Sequence, residues 1–221
     1  MTGFCHFITA TEDVVVDPAA LTRLLASVAG LRRAVTLVPA QARDLYYDDG
    51  APSALVLQIY YDRLEDLEAA ARADGPLSLL VEMAGGGFRH QAMVRRNFVP
   101  PTPGEGGCAY MVHYWGRPDD ANDWHRHYLT HHAPVMTRFP NVRSVEVYTP
   151  VEWVDELDWP RDTYFQRNRI LFDDAEALEH ALHSPVREEM RADRARFPQF
   201  DGGSGHFAMK AAVLREVGHA L

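Results

Sequence analysis

Apolar positions along the chain switch between a period of two and a period near four, and the switches mark out elements. Residues 3–9 alternate as a strand. Asp17-Pro18 then offers an N-cap followed by proline at the first helical position, and Leu21, Leu24, Leu25 and Val28 continue at helical spacing to a stop at Gly30. Residues 35–38 predict a short strand closing at Pro39, and a polar loop with Asp48-Asp49-Gly50 follows. A strand over 55–61, a helix over 64–72 and a strand over 89–98 complete the order βαββαβ. The order then recurs: strand 110–115, helix 122–138, strands 143–148 and 169–172, helix 175–182 and strand 206–214.

The two halves also match residue by residue. Leu31-Arg32 aligns with Val142-Arg143, and Pro39 with Pro150, each at a separation of 111 (143−32 and 150−39). Asp62-Arg63-Leu64-Glu65-Asp66-Leu67-Glu68 aligns with Asp173-Asp174-Ala175-Glu176-Ala177-Leu178-Glu179 at the same separation. His90-Gln91-Ala92-Met93 resembles His206-Phe207-Ala208-Met209. A proline- and glycine-rich spacer, residues 100–107, separates the halves. The expected division is therefore 1–99, a linker at 100–107, and 108–221. A βαββαβ unit is a ferredoxin-like arrangement with one apolar sheet face left to cover. Two such units packed sheet to sheet bury that face within one chain, so the expected fold is α+β: a barrel of two fused repeats, a covalent pseudo-dimer.

Composition narrows the partners. The chain has 221 residues, 47% of them apolar, enough for one large domain or two small ones with a real core. A net charge of −9, with Lys210 the sole lysine, argues against nucleic acid, which needs clustered cations. No apolar stretch approaches the roughly 18 residues of a membrane span, and no signal segment is visible. Two cysteines, Cys5 and Cys108, cannot build a disulfide framework. A reduced, cytoplasmic protein is expected, with further homodimerisation left open.

Chemistry concentrates in Asp123-Trp124-His125-Arg126-His127-Tyr128-Leu129-Thr130-His131-His132-Ala133-Pro134, which holds four of the eleven histidines. On a helix at about 100° per residue, Trp124, Tyr128, His131 and Val135 share a face, with His132 beside them one turn from Tyr128. The separation of 111 puts Leu21 opposite His132 and Ala20 opposite His131 (132−21 and 131−20). An imidazole where the other half carries a packing leucine is costly unless its nitrogens find partners. The second half therefore reads as the working half and the first as scaffold. The blander reading is a histidine bonded to backbone or facing water.

The run from Trp124 to Pro134, followed by Phe139-Pro140-Asn141-Val142-Arg143, resembles the helix motif of the EthD-like family, named for ethyl tert-butyl ether degradation and part of the dimeric α+β barrel group. Trp124, Tyr128, His132, Pro134, Pro140 and Arg143 match its pattern position by position. Leu171-Phe172-Asp173-Asp174-Ala175-Glu176-Ala177-Leu178, then Ala181-Leu182-His183-Ser184-Pro185, Asp193 and Arg196-Phe197, resemble the family's second strand–helix unit and the loop after it. The resemblance covers residues 107–215; the first hundred lack the histidine motif. It implies a pocket between the helix layer and its own sheet, lined by the motif histidine. The wider barrel group includes polyketide cyclases, muconolactone-type isomerases, cofactor-free oxygenases and haem-handling enzymes, several of them working without metal or organic cofactor.

Remaining features are weighed against this. His127 and His131 have a metal-capable spacing, but no further ligand completes a site, and a solvated face is the simpler reading. His113 and Trp115 alternate with Tyr110, Val112 and Tyr114, so one set faces the pocket and the pattern does not say which. Residues 151–168, with Trp153, Trp159, Tyr164 and Phe165, form a long connection that is either a lid or packing against the other repeat. The glycine runs at 85–87 and 202–205 lack the strand–turn–helix context of a phosphate loop.

These readings converge on a cofactor-independent isomerase, cyclase or lyase. Its expected substrate is a small aromatic, polyketide-like, lactone or unsaturated acid that passes through an enolate. His132 is the expected base, and Tyr128 its orienter or oxyanion donor. His113 is a second acid or orienter, and Trp124, Trp115, His131, Met136, Arg143, Tyr148 and His206 contact substrate. The alternatives are a cofactor-free or haem-dependent oxygenase of the same fold, and a non-catalytic small-molecule binding protein.

Overall fold

Eight strands close into a single antiparallel barrel: β1 (Gly3–Ala10), β2 (Leu31–Pro39), β3 (Val56–Tyr61), β4 (Phe88–Val99), β5 (Gly107–Trp115), β6 (Ser144–Pro150), β7 (Gln166–Phe172) and β8 (Gly203–Glu216). The computed structural model describes residues 3–104 and 106–218; Met1, Thr2 and the linker's Glu105, on which parts of the sequence reading fall, lie outside the described residues. Spatial order is β1-β3-β2-β8-β5-β7-β6-β4, with β4 pairing back onto β1. The strands of each half thus lie in the same order, β4-β1-β3-β2 and β8-β5-β7-β6, and meet at the β2–β8 and β6–β4 seams. Closure leaves no unpaired edge for another chain to extend.

Both faces of the sheet are covered, which is why β3 and β7 are buried along their whole length. Inward residues such as Cys5, Phe7, Tyr60, Met111 and Tyr148 fill the barrel. Outward residues of β1 and β3 pack under α1 (Pro18–Ala26), α2 (Leu64–Ala70) and α3 (Leu80–Ala84). Those of β5, β6 and β7 pack under α4 (Ala121–His127), α5 (Ala133–Met136), α6 (Ala175–Leu182) and α7 (Pro185–Arg194). Asp17 caps α1 as its position suggests, accepting bonds from the Ala19 and Ala20 amides. The aligned Arg–Asp positions of the repeat form equivalent surface ion pairs, Arg32–Asp62 and Arg143–Asp173.

Two departures from the pattern bear on the site. The helix expected over 122–138 is interrupted by a π-turn at Tyr128–His132. Pro134 has no N–H for the Thr130 carbonyl, so the hydrogen-bond ladder resets here. Residues 185–194, expected as loop, form α7. The long β6–β7 connection, expected as a lid or as packing against the other repeat, packs Trp153 and Leu157 into the first half's outer core, while Phe165 at its end meets Trp124 and His125 of the second. The β2–β3 connection, residues 40–54, crosses the other way, with Ala40 and Ala42 against the second half's core.

Gly107 opens β5 at φ 153°, where an added Cβ would stand 2.1 Å from the Phe172 carbonyl oxygen. Gly107→Ala is expected to destabilise by more than about 1 kcal/mol, since backbone rather than a movable side chain is in the way. A denaturant midpoint equal to wild type would contradict this.

Candidate active site

The π-turn decides which histidine enters the core. In an uninterrupted helix at about 100° per residue, Trp124 and Met136 would sit roughly 120° apart. The wider turn absorbs much of that drift, and Trp124, Tyr128, His132 and Met136 are all buried. His131, expected on the same face, is exposed instead. Trp124 stacks on Tyr128 with centroids 5.1 Å apart, and Tyr128 meets the His132 ring at 4.8 Å.

His132 Nδ1 bonds Asp193 Oδ2 at 2.7 Å, and His127 Nε2 lies 3.2 Å from the other carboxylate oxygen. Burial pushes the imidazole below its ordinary value, against the pull of Asp193. Burial also opposes ionisation of Asp193, but His132 and His127 outweigh it and hold the carboxyl below the usual range. The stable arrangement is a neutral imidazole donating from Nδ1 to a carboxylate. That leaves the Nε2 lone pair for chemistry, and Nε2 has no protein partner among the described residues.

The His132 ring lines a cavity of about 30 Å³ between helix layer and sheet, with Met136, Asn168, Tyr110, Arg187 and His206 among the other walls. Tyr128 does not reach this space itself. Its hydroxyl is held by the Asn168 amide, and burial pushes the phenol well above its ordinary value. The set Tyr110, Val112 and Tyr114 faces the cavity side of β5.

Other residues expected in the pocket lie elsewhere. His113 is on the opposite face of β5, against Tyr164 and Phe207, because strand residues alternate sides. Tyr148 also points into the barrel, where it bonds Glu146 at 2.8 Å. Trp115 is 47% exposed at the end of β5 and borders a separate surface hollow with Arg89 and Asp162. Arg143 pairs with Asp173 on the surface. His206 does line the cavity, with Nδ1 2.9 Å from Asp49 Oδ2 and its ring stacked on Tyr47 at 3.9 Å.

Several residues at the site are not among those expected there, although Asp193 belongs to the stretch that carries the family resemblance. Asp193 and Arg187 come from α7, whose buried positions Arg187, Met190 and Asp193 recur every three residues. That spacing is the available signal: two charges flanking a methionine on one helical face. Asn168 comes from the middle of β7, and Asp44 from the polar 40–54 loop, where local sequence gives no cue to either.

No protein-family model matches the sequence, and no curated protein sequence is significantly similar to it. Solved structures do match along nearly the whole chain. A candidate monooxygenase from Fusobacterium nucleatum subsp. nucleatum superposes with a TM-score of 0.57 at 7% identity, covering 97% of this chain and 93% of that one. A candidate monooxygenase from Lactobacillus acidophilus gives 0.57 at 9%, covering 97% and 94%. An anthrone oxidase-like protein gives 0.56 at 12%, covering 99% and 97%. At these identities the likeness concerns the fold alone: an α+β barrel closed within a single polypeptide.

Proposed function

We propose that the protein is a general-base enzyme in which His132, oriented by Asp193, removes a proton from carbon in a small carbonyl or carboxylic acid substrate. The observation that carries this reading is the 2.7 Å His132–Asp193 bond, which commits Nδ1 and leaves Nε2 as the basic nitrogen of a side chain that lines the cavity. Asn168 lines the cavity and donates one amide N–H to Tyr128; its second N–H is the candidate donor to the enolate oxygen. Return of the proton at a second position gives an isomerase; loss of a leaving group or ring closure gives a lyase or cyclase. All of these run on this chain's own groups, without metal or organic cofactor. The repeated Arg–Asp pairs and strand order support two fused ferredoxin-like repeats, the second EthD-like and carrying the site.

A second reading is favoured by the names of the structural neighbours, monooxygenase and anthrone oxidase-like. Here the same proton abstraction yields a carbanion that reacts with oxygen. Anaerobic incubation in D2O with phenylpyruvate and with anthrone, followed by NMR, tests the shared first step: carbon-bound hydrogen should exchange faster than in buffer. Oxygen uptake in air then separates the two readings. No exchange with any enolisable acid or ketone across a panel would refute both.

The pH profile should follow His132. Its protonation is disfavoured, so the basic form persists through neutrality and is lost only as pH falls below about 6.5. The expected kcat/KM profile is flat near pH 7 with an acid limb whose apparent pKa lies below that value. A limb above pH 7 would point to another group.

A further inference from the structure

We propose that Arg187 and Tyr110 form the carboxylate-binding subsite of the His132 cavity, and that Asp44 occupies this subsite when no substrate is bound; this rests on the general-base reading of His132. Arg187 is 6% exposed, and Asp44, from the first half's 40–54 loop, is its only carboxylate partner among the described residues. Arg187 Nη2 donates to Asp44 Oδ2 at 2.6 Å, and the Tyr110 hydroxyl donates to the same oxygen. Guanidinium and phenol thus bracket a carboxylate from two sides, the arrangement that recognises a bound acid. Arg187 Nε–H is buried without a partner. A ligand carboxylate presenting both oxygens would take up this unused arm of the fork.

The space around the pair leads to the same assignment. The inner cavity, about 30 Å³, is the size of a water and too small for a substrate. Outside it lies a hollow of about 540 Å³, a size ordinary for small-molecule sites. Arg187 lines the inner space, Asp44 the outer, and Tyr110 and His206 line both. The Asp44–Arg187 contact therefore spans the partition between them. Withdrawal of Asp44 joins the two spaces and leaves a buried cation unpaired, an unfavourable state unless an anion replaces the carboxylate.

The first half shows what a permanently closed counterpart looks like. By strand register Ile8 stands opposite His90 as Val112 stands opposite His206, so His6 and His90 correspond to Tyr110 and His206. There the reciprocal loop packs Trp153 against both rings, and its Asp155 is paired with Arg161 of the same loop. That loop brings its own cation. The 40–54 loop instead borrows one from α7 beneath it, and a substrate can compete for a borrowed cation.

The substrate class is therefore a small acid, aromatic or unsaturated, whose carboxylate reaches Arg187 while an acidic C–H faces His132. Calorimetric titration with benzoate, and with benzamide as its neutral isostere, tests this in wild type, Asp44→Asn and Arg187→Met. Removing the resident carboxylate raises the competent fraction, so Asp44→Asn should bind benzoate about tenfold tighter or more, with benzamide unchanged. Arg187→Met should lose benzoate binding. If Arg187→Met does not fold, the benzoate-to-benzamide contrast in Asp44→Asn still decides. Benzoate binding that ignores Asp44→Asn, or tracks benzamide, overturns the subsite. An intact Asp44 response with no proton exchange by wild type leaves the subsite standing and removes the general-base reading.

Discussion

Replacing His132 with alanine is expected to lower turnover by about 10² or more with the fold intact. The large kinetic effect follows from its position: it is the one imidazole of the second half's helix that both lines the cavity and is oriented by a carboxylate. The modest structural effect follows from the surroundings of Asp193. That carboxylate is buried but keeps His127, so removal of the ring does not leave its charge without a partner. Trp124 and Tyr128, both fully buried, continue to hold the helix on the sheet. His131→Ala is the natural comparison, because His131 is exposed; its turnover should stay close to wild type. Wild-type rates in His132→Ala would take His132 out of the mechanism. Asp193→Asn should lie between the two, since the ring remains but its Nδ1–H loses the charged partner.

The largest stability loss is expected from Glu146→Ala. Glu146 is fully buried inside the barrel, where it bonds Tyr148 at 2.8 Å and Tyr60 at 3.2 Å, pairs with Arg169, and lies 3.5 Å from Arg95. Truncation leaves Arg169 with its charge inside the barrel, a loss of about 3–5 kcal/mol. The double replacement Glu146→Leu with Arg169→Met should recover part of that, because the charge deepest in the barrel is then gone and only Arg95, which is partly exposed, has lost its partner. Burial opposes ionisation of Glu146, but Arg169 and Arg95 outweigh it and hold its carboxyl below the usual range. A depressed carboxyl contributes stability that is complete above the ordinary carboxylate value, about 4.3, and is lost as pH falls below it. Wild type should therefore lose stability on acidification more steeply than Glu146→Ala. Equal slopes, or a single-variant loss under about 1 kcal/mol, would mean the barrel interior tolerates the unpaired arginine.

Legibility of this molecule follows the range of the interactions concerned. The strands, α1, α2 and α6 stand where periodicity and capping put them, because each buries a face that its own residues define. Asp17 at the start of α1 is such a case. α7 does not announce itself: Val186 and Met190 are its only large apolar residues, and its buried face is completed by Arg187 and Asp193. Those two charges are tolerable inside only because His132, His127 and Asp44 meet them from elsewhere in the chain. The assignment of His132 over His131 to the core illustrates the same limit. Both fit an amphipathic face to within one residue, and the π-turn before Pro134 selects between them.

The sequence by itself determined the eight strands, the helices α1, α2 and α6 and the segment in which acid–base groups concentrate, since these depend on spacing along a few turns or strands. Tertiary structure alone decided which groups meet: Asp193 with His132, Asp44 with Arg187, and Glu146 with Arg169. Each pair joins residues far apart in the chain, and burying such charges is favourable only when the partner is already in place. Local pattern carries no record of that partner, so closure of the barrel and the crossing of the 40–54 loop had to supply it.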